Sequence, residues 1–107
     1  MNPQPKEIYI VQTIYRLCTD KRPCVVIEIL KSGYVKFARI SSAMDLYHLG
    51  RDFLIENNHP NFQDTGLKRT SYVSGEDFIE VPLSDVSKKT MGKLTGDLAK
   101  AFDKWLG

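Results

Sequence analysis

Cys24-Val25-Val26-Ile27-Glu28-Ile29-Leu30-Lys31-Ser32-Gly33-Tyr34-Val35-Lys36-Phe37-Ala38-Arg39-Ile40 decides the fold of this chain. Its first part is a nearly continuous apolar run, as a buried strand requires, and its last part alternates apolar with polar residues at a period of two. Between them, Lys31-Ser32-Gly33 is a short turn that reads as the tip of a hairpin. Upstream, residues 7–17 are rich in β-branched and aromatic side chains, with Tyr9, Val11, Thr13, Tyr15 and Leu17 on one side of a pleat and Ile8, Ile10 and Ile14 on the other. Thr19-Asp20-Lys21-Arg22-Pro23 supplies turn formers between that strand and the hairpin. Three antiparallel strands are therefore expected before residue 41.

Downstream the pattern changes. Ser42 and Asp45 stand at capping-box spacing, which predicts a short helix, and Gly50 can terminate it. Residues 53–56 read as an edge strand and residues 57–61 as a polar loop. Strands are expected again at 71–74 and 77–81, with Gly75-Glu76 as a tight turn and Pro82 as the stop. The C-terminal end predicts an amphipathic helix capped by Thr95, with Asp97 in its first turn and Leu98, Ala101, Phe102, Trp105 and Leu106 on its apolar side. The whole is α+β and mainly β: a small SH3-like antiparallel barrel with a short helix after the third strand and a C-terminal helix.

A chain of 107 residues holds one domain, assigned to residues 1–107 with 1–6 as a flexible arm. It has no apolar stretch long enough to span a bilayer and no secretory signal at its start, so a cytoplasmic location is expected. Two cysteines, Cys18 and Cys24, are too few for a disulfide framework and read as free thiols. The net charge of +2 is modest, but the basic residues cluster at Lys21-Arg22, Lys68-Arg69 and Lys88-Lys89-Lys93, beside expected connections. Such clusters make a phosphate-binding face only if the connections converge, and are otherwise solvated surface.

Four segments resemble the PemK/MazF-like growth-inhibitor toxins of toxin–antitoxin pairs. Lys21-Arg22-Pro23-Cys24-Val25-Val26-Ile27 is similar to that family's Arg-Pro dipeptide opening an apolar strand, and Ile40-Ser41-Ser42 to the end of its third strand. Gly66-Leu67-Lys68-Arg69-Thr70-Ser71-Tyr72-Val73 resembles its Gly-Leu-x-x-x-Ser-x-Val strand, and Met91-Gly92-Lys93-Leu94-Thr95 its lead into the last helix. The resemblance implies an endoribonuclease that needs no metal or other cofactor, cuts single-stranded RNA, forms a homodimer and is neutralised by an antitoxin with a disordered segment. On that reading Arg22 and Ser41 are the catalytic pair. A guanidinium stays charged and offers donors to a phosphate gaining negative charge, and a serine hydroxyl adds another. Lys21, Lys68, Arg69 and Ser42 would bind flanking RNA.

Other residues are weighed beside these. Arg22 alone would read as a turn arginine, and Ser41 or Ser42 as a helix cap. Of the two histidines, neither has a partner at catalytic or metal spacing, and His59, in a loop, is favoured over His48. Tyr47, Phe53, Phe62 and Tyr72 could stack on unpaired bases or fill the core. Asp77-Phe78-Ile79-Glu80-Val81 is acidic and would oppose a phosphate if it faced the site. The competing class is a binding protein: a related toxin on the same barrel inhibits DNA gyrase by docking on it, which here would require an exposed Trp105. A plain interaction module on the same fold would require an exposed aromatic cluster.

Overall fold

A computed structural model describes residues 2–15 and 18–107, with side chains described outside 13–20. Six strands form one antiparallel sheet curled into a half-barrel: β1 Glu7–Tyr15, β2 Cys18–Ile29, β3 Tyr34–Ser41, β4 Phe53–Ile55, β5 Ser71–Pro82 and β6 Gly92–Lys93, followed by the helix α1 Gly96–Leu106. The sheet order is β4-β5-β3-β2-β1-β6, so β4 is an edge strand, as its short apolar run indicates. No helix is long and apolar enough to cross a membrane among the described residues.

The hairpin read from the sequence is present. Gly33 turns it with φ of +88°, a backbone conformation that glycine adopts without a Cβ penalty, and Leu30 N–H donates to Tyr34 O at 2.8 Å. The turn expected at residues 19–23 is not. Those residues lie within β2, with Arg22 opposite Val11 and Pro23 opposite Ile10. Pairing of β2 with β3 begins only at Cys24, so at Pro23 the strand has a single partner and the missing N–H is tolerated. Cross-strand pairing with β1 outweighs the turn chemistry of Asp20 and Pro23. Arg16 and Leu17, assigned to the first strand, lie outside the described residues.

Two other expectations are corrected. The helix after β3 is a single 3₁₀ turn, Met44–Leu46, with no side-chain cap; Ser41 Oγ, not Ser42, takes an amide there, from Ala43 at 3.1 Å. Gly75-Glu76 is not a turn, because both halves of β5 pair with β3: Val73 stands opposite Ile40 and Phe78 opposite Ala38, leaving residues 74–77 bulged out against Arg39 alone. Glycine is required at the bulge by proximity, since a Cβ on Gly75 would lie 2.1 Å from the Arg51 carbonyl oxygen.

Both faces of the sheet are packed. Ile8, Val25, Ala38, Ile40, Ile55 and Val73 line the face covered by Phe62, Leu94, Leu98 and Phe102. On α1, Phe102 is fully buried and Trp105 half-buried, and both rings meet Phe53 with centroids 5.3 and 5.8 Å away, while Ala101 and Leu106 are exposed. The helix start is capped from outside: Asn61 Oδ1 accepts the Asp97 amide, and Thr95 Oγ1 donates instead to Asp64. Tyr9, Val11, Cys24, Val26, Val35 and Phe37 form a second cluster on the opposite face, covered by Leu83 and Val86. Residues 2–6 carry a buried Pro3 and a Lys6 that donates its amide to Val26 O and pairs with Asp103 at 3.0 Å.

Truncating Phe102 to Ala is expected to cost about 3–5 kcal/mol of unfolding free energy in urea, and Leu106→Ala less than about 1 kcal/mol. Gly75→Ala is expected to destabilise by about 1–3 kcal/mol, because neither the bulge nor the Arg51 carbonyl can yield without losing hydrogen bonds.

Candidate functional site

The second face runs out of cover towards one end. Arg22, one strand pair beyond Tyr9 and Cys24, and Arg39 and Ser41 of β3 have the pleat parity of that cluster, so their side chains leave the sheet on its side. Leu83 and Val86 cover only the apolar part. What remains is a cleft of about 420 Å³ between the sheet, the β5 bulge and the segment after β3, lined among others by Arg22, Arg39, Ser41, His48, Arg51 and Tyr72. A second cleft of about 210 Å³ shares Arg22, Ile40 and Ser41 with it and adds Ser42, Leu67, Lys68 and Arg69. The two adjoin at Arg22, Ile40 and Ser41 and together are termed the groove; Leu67 and Met91, packed against the helix-covered core, place the second cleft towards that side of the sheet.

The sequence-derived candidates divide accordingly. Arg22, Ser41, Ser42, Lys68 and Arg69 come together in the groove. Lys21 and His59 line neither cleft; Lys21 is exposed on the alternate pleat position, and His59 Nδ1 accepts the Asn61 amide at 3.0 Å. Ser71 Oγ is occupied by a bond to Arg69 O, and Lys88, Lys89 and Lys93 line neither cleft. Accepting the Ala43 amide fixes the Ser41 oxygen and leaves its O–H as a donor.

Sequence reasoning does not select Arg39, His48, Arg51 or Tyr72 as site residues. The signal for Arg39 and Tyr72 is parity: Arg39 is two residues from Ser41, and Tyr72 stands opposite it. Nothing local places His48 and Arg51, which reach the cleft through a buried carboxylate. Asp52, 5 % exposed, accepts Gly75 N–H at 2.8 Å, His48 N–H at 2.9 Å, and Arg51 Nε and a second guanidinium nitrogen at 2.9 and 3.1 Å. It thereby ties the 48–52 segment to the β5 bulge, while Arg51 O receives Trp105 Nε1–H at 3.0 Å. Burial alone would raise the Asp52 carboxyl, but hydrogen bonds from Arg51, Gly75 and His48 and the Arg51 charge override it and hold the group down at about 2.

The lining is basic on balance: Arg22, Arg39 and Arg51 share the first cleft with Glu76 and Asp77, and Arg22, Lys68 and Arg69 line the second with no acidic residue among those described. Both carboxylates are engaged, Asp77 with Arg39 at 3.0 Å and Glu76 with Arg51 at 3.2 Å. Of the acidic stretch 77–81, Asp77 alone lines the cleft, with its charge offset by Arg39. Leu46, 60 % exposed, adds an apolar lip. Cys24 lies behind this surface as a core group: burial pushes its thiol up to about 12, and its S–H points to Arg22 O at 3.7 Å. Among the described residues, no group of three or more His, Cys, Asp or Glu side chains is placed to hold a metal ion. Neither a protein-family model nor a curated protein matches the chain.

Asp52 provides a pH test. Its folded carboxyl lies below the unfolded value, so its stabilisation is fully present above about pH 4 and is lost as pH falls through about 2. Asp52→Asn is expected to cost about 1–3 kcal/mol at neutral pH. In urea unfolding series the gap between the two proteins should narrow as the acid limb is descended.

Proposed function

We propose that this protein is a ribonuclease of the PemK/MazF-like kind on an SH3-like barrel, holding single-stranded RNA in the groove and cutting it by attack of a 2′-hydroxyl on the adjacent phosphorus. The observation that carries the reading is the meeting of Arg22 and Ser41 at the junction of the two clefts, with Lys68 and Arg69 on one side and Arg39 and Arg51 on the other.

Each residue type has a task there. The Arg22 guanidinium stays protonated and can donate to the non-bridging oxygens of the scissile phosphate as charge builds on them. Ser41 O–H adds a donor whose oxygen is held by the Ala43 amide. Lys68 and Arg69 suit a flanking phosphate, with Ser42 beside them, and Lys21 is left to backbone beyond the groove. Tyr72 and Leu46 offer the flat and apolar surface that unstacked bases need. The groove is open and bordered by loops, which suits a flexible single strand better than a duplex. A homodimer and an antitoxin whose disordered segment fills the groove belong to the same proposal.

The alternative, an inhibitor docking on a protein such as gyrase through Trp105, draws less support. That side chain is engaged within the fold, packed at a tilt against Phe53 and Phe102 and donating its Nε1–H to Arg51 O. A plain peptide-binding module draws less as well, because among the residues whose side chains are described the most exposed large apolar ones are Leu49 and Leu46, and Tyr34 and Phe78 are exposed to a lesser degree.

Purified protein incubated with mixed-sequence single-stranded RNA in EDTA is expected to yield fragments ending in 2′,3′-cyclic phosphate. Arg22→Ala should lower the rate by about 10²-fold or more, and Ser41→Ala should lower it as well. Intact RNA after incubation with folded wild-type protein would refute the reading.

A further inference from the structure

Cleavage by a neighbouring 2′-hydroxyl has to move two protons, one off the attacking oxygen and one onto the leaving oxygen. Arg22 and Ser41 are poorly suited to that. Arg22 remains protonated at working pH and Ser41 is a hydroxyl, so both are donors to charge and neither is a base. Glu76 and Asp77 are tied into ion pairs with Arg51 and Arg39. His48 lines the same cleft as Arg22 and Ser41 and is exposed to it.

Its place is built by the backbone and not by its ring. His48 N–H donates to the buried Asp52 carboxylate, and His48 O accepts the Arg51 and Asp52 amides at 3.2 and 3.0 Å. The imidazole is thus presented from a segment pinned to the β5 bulge, with a side chain that the fold does not require. Histidine is also the residue type whose charge changes in the neutral range, and its ring can accept and return a proton. The charged and titratable groups sharing the cleft with it are Arg22 from β2, Arg39 from β3, Arg51 from its own segment, and Tyr72, Glu76 and Asp77 from β5.

We infer that His48 is the proton-transfer residue of this groove, taking the 2′-hydroxyl proton of the bound ribonucleotide; the inference rests on the ribonuclease reading. The bond from O2′ to phosphorus forms as the proton passes to an imidazole nitrogen. The bond from phosphorus to O5′ breaks with its electron pair on O5′, which takes a proton from a solvent water. The hydroxide so formed removes the proton from His48 and restores the neutral ring. The products are a 2′,3′-cyclic phosphate and a 5′-hydroxyl.

The test compares wild type, Arg22→Ala, His48→Ala and His48→Gln on one single-stranded RNA in EDTA across a pH series. Binding is followed separately on a 2′-O-methyl RNA of the same sequence, which cannot react. Because the Asp52 bond uses the His48 backbone, both histidine variants should fold. They are expected to lose about 10²-fold or more in rate while binding the unreactive RNA within about threefold of wild type. The wild-type rate should rise through the range in which imidazole loses its proton, the variants should lack that rise, and added imidazole should partly restore His48→Ala. A His48→Ala protein cleaving within about threefold of wild type would overturn the inference, as would a slowed variant whose pH profile is still that of wild type. If wild type and His48→Ala cleave alike while Arg22→Ala does not, the ribonuclease reading stands and His48 has no part in it. If folded wild type cleaves nothing, that reading falls and this one with it.

Discussion

The buried carboxylate of Asp52 is the interaction on which the rest of this structure depends. A charged group shielded from water is costly unless its oxygens are saturated with donors, and here four donors from three residues converge on it: the amides of His48 and Gly75 and two guanidinium nitrogens of Arg51. Those donors come from two places far apart in sequence. The segment between β3 and β4 is therefore fastened to the bulge in β5, and the carbonyl of Arg51 extends the same junction to Trp105 on α1. Two constraints meet at Gly75, whose amide is needed by Asp52 and whose missing side chain makes room for the Arg51 carbonyl.

The shape of the groove depends on that junction. A sheet of six strands with apolar residues on both faces must be covered twice. The helix and the Phe62–Thr65 turn cover one face, but Leu83 and Val86 reach only part of the other. Where the cover ends, the pleat that buries Tyr9, Cys24 and Phe37 goes on to present Arg22, Arg39 and Ser41. The bulge and the 43–52 segment, fastened to each other, border these residues. Guanidinium charge at the base, offset but not cancelled by Glu76 and Asp77, leaves the open end basic.

The hairpin of β2 and β3 is legible in the sequence, along with the edge strand β4 and the C-terminal helix, because each rests on a local period and a local turn. Of the residues singled out in the sequence, Arg22, Ser41, Ser42, Lys68 and Arg69 line the two adjoining clefts, whereas Lys21 and His59 line neither. Local signals mislead where they have a second use. Asp20 and Pro23 look like turn residues, yet they continue a strand that has a partner on one side only. Gly75 looks like a hairpin tip, yet it marks a close approach of backbones. Loop composition favours His59 over His48, and no local pattern reveals that Asp52 carries His48 to the groove, since that depends on a bulge more than twenty residues away.

Amide chemical-shift mapping with an unreactive 2′-O-methyl single-stranded RNA tests most directly whether the two clefts act as one RNA-binding groove with Arg22 and Ser41 at its middle. The expected result is perturbation concentrated at Arg22, residues 39–43, His48 and residues 67–72, sparing His59 and residues 84–89, and weakening as salt is added. Perturbation confined to the α1 surface or to residues 84–89, or none at all with folded protein, would contradict it.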